Sequence, residues 1–295
     1  MKHGFFQPDD KQSIDEFLKN HSVVKAKPFI KWVGGKRQLL SQFRDLYPLP
    51  DKFDIECNTY FEPFVGGGAV FFDIQPYSAV LSDINKELVT TYQVIKTQPE
   101  KLISALQKHK HDKEYYLQLR AKNPNKMSDV NVAARFIYLN RTGFNGLYRV
   151  NKSGGFNVPF GRYKNPKICD AENIRNVSTL LQNVEIKHRD YREVVKEAKA
   201  GDFIYFDPPY IPLNPTSSFT SYTKDGFGIR QQEELRDVFA CLAEKGCFVM
   251  LSNSDTPLTR ELYRDFNVHS VQAGRAINSN GGKRGKVGEV VVCNY

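Results

Sequence analysis

The feature that most limits how this 295-residue chain can fold is the contiguous run Gly66-Gly67-Gly68, which follows the apolar stretch Tyr60 to Phe64 and precedes a helix-compatible segment from Ala69. A strand that turns through glycines into a helix lets backbone approach whatever lies beyond the strand end, because a Cβ at Gly66 or Gly68 would stand in the way. The next strand-like run, Ala79 to Ile84, carries Asp83 near its end. Strand, glycine turn, helix and strand are the beginning of a βαβ unit, and they predict a parallel sheet covered by helices.

After this opening the pattern changes. Glu87 to Lys96, Pro99 to Lys108, Glu114 to Lys122 and Val130 to Asn140 read as helices with no strand between them. Thr142 to Pro166 reads as loops with a hairpin turn at Ser153-Gly154-Gly155. Past Asp170, strands are predicted at Val184 to Lys187, Phe203 to Phe206, Cys247 to Leu251 and Val287 to Val292, with a helix over Arg230 to Glu244. A short helix is predicted at Arg37 to Tyr47. The fold class is α/β: a catalytic domain over 28–85 and 170–295, an inserted, mostly helical module over 86–169, and an N-terminal extension over 1–27.

Charge separates the same regions. Lys86 to Cys169 holds 16 Lys and Arg against 5 Asp and Glu, a net of +11, whereas the whole chain carries +9. Positions 130 to 169 contain seven basic residues and no acidic one, which points to a polyanionic partner rather than to a surface kept soluble by mixed charge. The five cysteines form no CxxC and have no histidines at zinc-ligand spacing, so free thiols in a reducing cytoplasm, and no metal, are expected. No apolar run of 18 residues is present, and neither a membrane span nor a signal peptide is predicted.

The candidate chemistry lies at Asp207-Pro208-Pro209-Tyr210, directly after the strand-like run Phe203 to Phe206. A carboxylate and a backbone carbonyl, held by two prolines that fix φ and donate no N–H, can accept both hydrogens of an aromatic amine. This draws the delocalised lone pair back onto nitrogen, and the tyrosine offers a face on which a base stacks. Asp83, closing the second strand, is placed to bind ribose hydroxyls. The glycine turn alone would also suit a nicotinamide dinucleotide, but the G-x-G-x-x-G spacing is missing. Gly34-Gly35-Lys36 lacks the earlier glycine and the Ser or Thr of a phosphate loop. Trp32, the sole tryptophan, either packs on an adenosine or belongs to the core.

Five ordered blocks carry a resemblance: Phe29-Ile30-Lys31-Trp32-Val33-Gly34-Gly35-Lys36, Phe61 to Gly68, Asn140 to Arg149, Phe156 to Tyr163 and Asp207 to Tyr210. From about residue 28 onward the chain resembles the Dam-type and DpnII-type DNA adenine-N6 methyltransferases, the D12 class, group alpha. The resemblance implies a Rossmann-like S-adenosylmethionine-dependent domain carrying a DNA target-recognition insert, with GATC as the usual site. It places Trp32, Lys36, Phe64, Gly66, Gly68, Asp83 and Asp207 around the cofactor, and Asp207, Pro208, Pro209 and Tyr210 on a flipped adenine. Lys31 and the segment Phe144 to Arg149, including Asn145 and Leu147, fall on the recognition site. S-adenosylhomocysteine is the implied product, and the implied partner is duplex DNA; a cognate restriction endonuclease of the same site is a further partner if the chain belongs to a restriction system rather than acting alone, and both readings stay open. A monomer is expected.

The residues agree on their own terms. Phe144 sits on a glycine-flanked loop and suits a wedge in a base stack. Asn145 and Arg149 suit base edges, Arg149 with a phosphate contact as the other reading, and Arg141 and Arg162 are expected on phosphates. Ile211 to Gly228 reads as a loop that orders over substrates or stays passive, and Asn278 to Lys286 as a basic loop within reach of DNA. Methyl transfer to RNA or to a protein amide is the nearest alternative, disfavoured by Asp rather than Asn at position 207. A nicotinamide-dependent oxidoreductase is more distant.

Overall fold

In the computed structural model, which describes residues 18, 24–49, 52–151, 153–211, 227–274 and 286–295, the described strands form one seven-stranded sheet. They are β1 (Thr59–Glu62), β2 (Ser78–Asp83), β3 (Val184–His188), β4 (Phe203–Phe206), β5 (Phe248–Ser254), β6 (Asn267–Gly274) and β7 (Lys286–Cys293). The order is β3-β2-β1-β4-β5-β7-β6. Neighbours from β3 to β5 pair in parallel, and β7 runs antiparallel to both β5 and β6. The expected α/β class holds, with β6 as an added edge strand. Its polar His269 and Ser270 interrupt the apolar alternation, which is how an edge strand with little buried surface escapes a sequence reading.

The sheet is buried on both faces because its central strands are apolar throughout. In β4, Phe203 and Tyr205 pack with Tyr60, Leu81 and Met250 on one face, while Ile204 and Phe206 pack with Phe61, Val80, Val249 and Leu251 on the other. This is the two-residue alternation of a strand. The described helices are α1 (Leu40–Arg44), α2 (Ala69–Ile74), α3 (Lys86–Thr97), α4 (Pro99–Gln107), α5 (Lys113–Ala121), α6 (Asp129–Thr142), α7 (Ala171–Leu180), α8 (Val194–Glu197), α9 (Ile229–Glu244) and α10 (Pro257–Leu262). The single helix expected over Arg37 to Tyr47 is a 3₁₀ turn, Lys36–Gln38, followed by the short α1. Helix α7 was not anticipated, although Ile174 and Val177 lie one turn apart and both are buried.

The inserted segment is joined to the sheet more closely than its helical pattern suggests. Helix α3 packs on β2 and β3 as well as on α6 and α7; Lys96 donates to the Val184 carbonyl at 2.8 Å and Gln93 to that of Ile186 at 3.2 Å. Helices α5 and α6 instead enclose a small satellite core of Tyr116, Leu119, Tyr138 and Leu139. Of the N-terminal extension, residues 24–27 are tied down: Asn173 bonds the Lys27 N–H at 3.1 Å and its carbonyl at 2.9 Å, and Gln75 bonds that of Val24. Most of the extension, and most of the loops expected at 211–228 and 278–286, lie outside the described residues.

Arg135 holds the insert together. It is buried on α6, pairs with Glu87 of α3 at 2.7 Å, and donates to the Leu119 and Arg120 carbonyls at the end of α5, at 3.0 and 2.9 Å. Its charge is therefore structural, not part of a basic surface. Arg135→Ala leaves a half-buried carboxylate and two carbonyls without their partner, and is expected to cost about 3–5 kcal/mol of unfolding free energy in a chemical denaturation titration.

Candidate active site

In an open sheet of this order the strand sequence reverses between β1 and β4, and ligands bind beyond the carboxyl ends of the strands at that crevice. The sequence places its chemistry there: Glu62 ends β1, Asp83 ends β2, Asp207 follows β4, and Ser252, Asn253 and Ser254 end β5. The strand expected to stop at Leu251 continues through these three polar residues, which are buried. Buried polar groups persist only when hydrogen-bonded, and here Ser252 bonds Asp207 while Asn253 and Ser254 bond Ile211, directly after Asp207-Pro208-Pro209-Tyr210.

The Ser252 hydroxyl donates to Asp207 Oδ1 at 3.0 Å and shares a 2.9 Å hydrogen bond with the Tyr205 hydroxyl. Asn253 accepts from the Ile211 N–H at 3.2 Å and donates to Gln232, whose own amide donates to the Pro209 carbonyl at 2.9 Å. The backbone around Asp207 to Tyr210 is thus clamped by side chains of β5 and α9. Among the described residues nothing donates to the Pro208 carbonyl, the acceptor the chemistry requires.

Lys36, buried although charged, pairs with Asp207 Oδ1 at 2.8 Å, donates to the Gly34 carbonyl, and lies 4.5 Å from the centroid of the Tyr210 ring. Burial pushes the Asp207 carboxyl up, opposed by Lys36 and Ser252. Glu289, on β7, accepts from the Tyr210 hydroxyl at 2.6 Å and is also raised by burial. Glu62 accepts from Tyr60 at 2.8 Å and from the Phe71 N–H at 3.2 Å, and burial pushes its carboxyl up to about 8.

The glycine turn is shaped by what lies against it. Gly66 and Gly68 have φ of 45° and 68°, and a Cβ at Gly66 would come within 2.5 Å of the Trp32 indole, one at Gly68 within 2.8 Å of the Tyr92 hydroxyl. Asp83 accepts from the Gly66 N–H at 3.2 Å and from Asn85 at 2.9 Å, so it braces the turn from below. Phe64 stacks on Tyr191, ring centroids 5.1 Å apart, and Ile84 stands exposed next to Asp83. Trp32, half-buried, meets the turn on one side and stacks on Tyr148 at 5.9 Å on the other.

Most of the residues expected to meet DNA lie on one short hairpin, with bridges Gly143 to Phe160 and Val150 to Phe156 and its turn at Asn151 to Gly155, whereas Lys31 comes from the N-terminal segment and Arg141 from α6. Phe144 and Asn145 are exposed on a 3₁₀ turn, Phe144–Gly146, at the base of the hairpin directly after α6, and Asn145 has a left-handed φ of 54°. Leu147 is half-buried and Arg162 exposed. Lys31 lies over the Tyr163 ring at 4.4 Å. Arg149 donates to the Asn157 side chain at 2.7 Å, a pairing not foreseen from sequence. Arg141, expected on a phosphate, is half-buried and donates to the Phe29 carbonyl at 2.7 Å; it links α6 to the N-terminal segment and does not present its charge to solvent.

Sequence reasoning missed Glu62, Ser252, Asn253, Gln232 and Glu289. The signal for Glu289 was present, a single acid inside the apolar strand Val287 to Val292. Among the described residues no helix is long and apolar enough to cross a membrane, and no group of three or more metal-ligating side chains is found.

Residues 32–277 match the family described as D12 class N6 adenine-specific DNA methyltransferase. The type II methyltransferase M1.LlaDCHI of Lactococcus lactis subsp. cremoris is 51% identical over 286 residues, covering 94% of this chain and 99% of that protein. The type II methyltransferase M.MjaIII of Methanocaldococcus jannaschii is 45% identical, covering 92% and 100%. The DNA adenine methylase of Escherichia coli K12 is 37% identical, covering 91% and 95%.

Glu62 gives a test with a definite sign. Because burial raises its folded-state pKa to about 8, from about 4.5 for an exposed glutamate, the stability linked to it is present below about pH 4.5 and is lost as pH rises toward 8. Glu62→Gln keeps an oxygen to accept from Tyr60 and Phe71 without the charge. Its melting temperature relative to wild type, measured by calorimetry, is expected to be near unchanged at pH 5 and to rise progressively to pH 9. A difference that does not vary with pH would contradict the assignment.

Proposed function

The chain belongs to the D12 class of N6 adenine-specific DNA methyltransferases, and we propose that it methylates N6 of an adenine flipped out of duplex DNA, within GATC, with S-adenosylmethionine as donor. The observation that carries this reading is the tetrad itself. Asp207 and the Pro208 carbonyl stand beside the Tyr210 ring on a backbone clamped at Pro209 and Ile211.

The residues present fit the cofactor. Glycines at positive φ let the turn lie against Trp32 and Tyr92, and Asp83, Phe64 and Ile84 surround the end of β2 at the switch point of the sheet. Trp32, Lys36, Phe64, Gly66, Gly68, Asp83 and Asp207 would hold it. Bound there, S-adenosylmethionine supplies an electrophilic methyl group carried on a positive sulfonium.

The chain's own groups do the rest. Phe144, exposed on the 3₁₀ turn that follows α6, enters the stack, and the extruded base, at a cost of roughly a few kcal/mol, stacks on Tyr210. Asp207 and the Pro208 carbonyl accept the two N6 hydrogens, so the lone pair localises for attack. Positive charge develops on N6 as the methyl bond forms, and the Asp207 and Glu289 carboxylates face it with negative potential that Lys36 only partly offsets. The N6 proton leaves toward the Asp207 carboxylate. Sequence is read by Lys31, Asn145, Leu147 and Arg149, the last oriented by Asn157, while Arg162 contacts phosphate.

Transfer of labelled methyl from S-adenosylmethionine is expected to a duplex with a central GATC and not to the same duplex with that adenine replaced. Equal transfer to both would discard the site, and transfer only to RNA or protein would discard the acceptor. Asp207→Asn is expected to lower kcat by about 10²–10³-fold or more while DNA affinity changes little. Since burial raises the Asp207 pKa and its carboxylate is the active form, kcat is expected to fall on the acid side at a pH above that of an exposed aspartate, about 3.9.

A further inference from the structure

We propose that Glu289 is a positioning residue for methyl transfer that acts through Tyr210, fixing the ring on which the target base stacks. This rests on the reading of Tyr210 as the stacking face. Glu289 lies on the antiparallel strand β7 opposite Ser254, so the reversal of the last strand pair brings its carboxylate to the end of β5 beside the tetrad. The Tyr210 hydroxyl donates to Glu289 Oε2 at 2.6 Å, the length of a charge-assisted O–H···O⁻ bond.

The backbone clamp leaves two freedoms to the Tyr210 side chain. Gln232 and Asn253 hold the main chain at Pro209 and Ile211, which leaves rotation about χ1 and about the ring axis. Swinging about χ1 would carry the hydroxyl away from Glu289, so that bond sets where the ring points. Rotation about the ring axis leaves the hydroxyl in place, and the Lys36 ammonium, 4.5 Å from the ring centroid and tied to Asp207, limits it. Removing Glu289 loosens the first motion, leaving the hydroxyl only its weaker contact with Ser252, which is itself tied to Asp207 and Tyr205. A stacked adenine follows its platform, and its N6 moves relative to Asp207, where a displacement of about 1 Å is enough to slow a reaction about 10²-fold.

The test is a double-mutant cycle on the full chain with a GATC duplex: wild type, Glu289→Ala, Glu289→Gln, Tyr210→Phe and Tyr210→Phe/Glu289→Ala, with single-turnover methyl transfer and duplex affinity measured for each and folding checked by melting. Glu289→Ala is expected to lower the transfer rate about 10–100-fold with affinity changed less than about 3-fold, and Glu289→Gln, which still accepts from the hydroxyl, to recover most of the rate. In the Tyr210→Phe background, Glu289→Ala is expected to add nothing. Equal further loss in that background would overturn the proposal, as would an affinity loss matching the rate loss. If Glu289→Ala does not fold, Glu289→Leu, which fills the space but cannot accept from the hydroxyl, takes its place in the same cycle, with additive losses overturning the proposal. Absence of transfer to any DNA by the wild-type enzyme would overturn the underlying reading and this proposal with it.

Discussion

The ion pair between Lys36 and Asp207 is the interaction on which the site depends. It joins a segment near the N-terminus to the strand end at the middle of the chain, and it lies at the sheet's switch point with the Lys36 side chain only 4% exposed. A buried ammonium beside one carboxylate is costly unless further groups stabilise it. Here the Gly34 carbonyl and the Tyr210 ring complete its surroundings, and Glu289, bonded by the Tyr210 hydroxyl, adds a second acidic group. The consequence is a pocket with more negative than positive groups, suited to a reaction in which a cationic methyl donor meets an amine that itself becomes positive.

A second junction connects this pocket to the hairpin that carries Asn145 and Arg149. Asn140, buried on α6, accepts from the Lys31 N–H at 2.8 Å and donates to the Lys31 carbonyl at 2.7 Å and the Gly146 carbonyl at 2.9 Å. Gly146 has a φ of 65°, and a Cβ there would lie 2.6 Å from the Lys31 side chain. The segment that carries Lys31 and Trp32 is therefore bonded to the recognition hairpin on one side and packed on the glycine turn on the other. Tyr116 and Arg120 anchor the returning arm of the hairpin at the Val158 carbonyl. The hairpin is held by side chains of α5 and α6, with Phe144 and Asn145 exposed at its base and the Ser153 to Gly155 turn exposed at its tip.

The basic character of the insert also resolves into two kinds of residue. Arg135 and Arg141 donate to carbonyls inside the fold, whereas Arg162 lies exposed. A count of charges locates the region that meets a polyanion, but it does not separate guanidinium groups that cap helix ends from those that meet solvent. That separation requires knowing which carbonyls lack partners, and those belong to segments far apart in the chain.

Local pattern determined much of this protein. The two-residue alternation in Phe203 to Phe206, the glycine turn, the four helices of the insert and the Asp207 to Tyr210 tetrad could all be read directly, because each is set by periodicity or by chemistry confined to a few consecutive residues. Tertiary structure decided the rest. That Glu289 meets Tyr210, Gln232 the Pro209 carbonyl, Arg149 its partner Asn157 and Asn140 both Lys31 and Gly146 follows from strand order and helix packing, which bring together residues as many as 109 positions apart. Hydrogen bonds between such residues are specified by geometry in three dimensions, and no period or spacing along one chain encodes them.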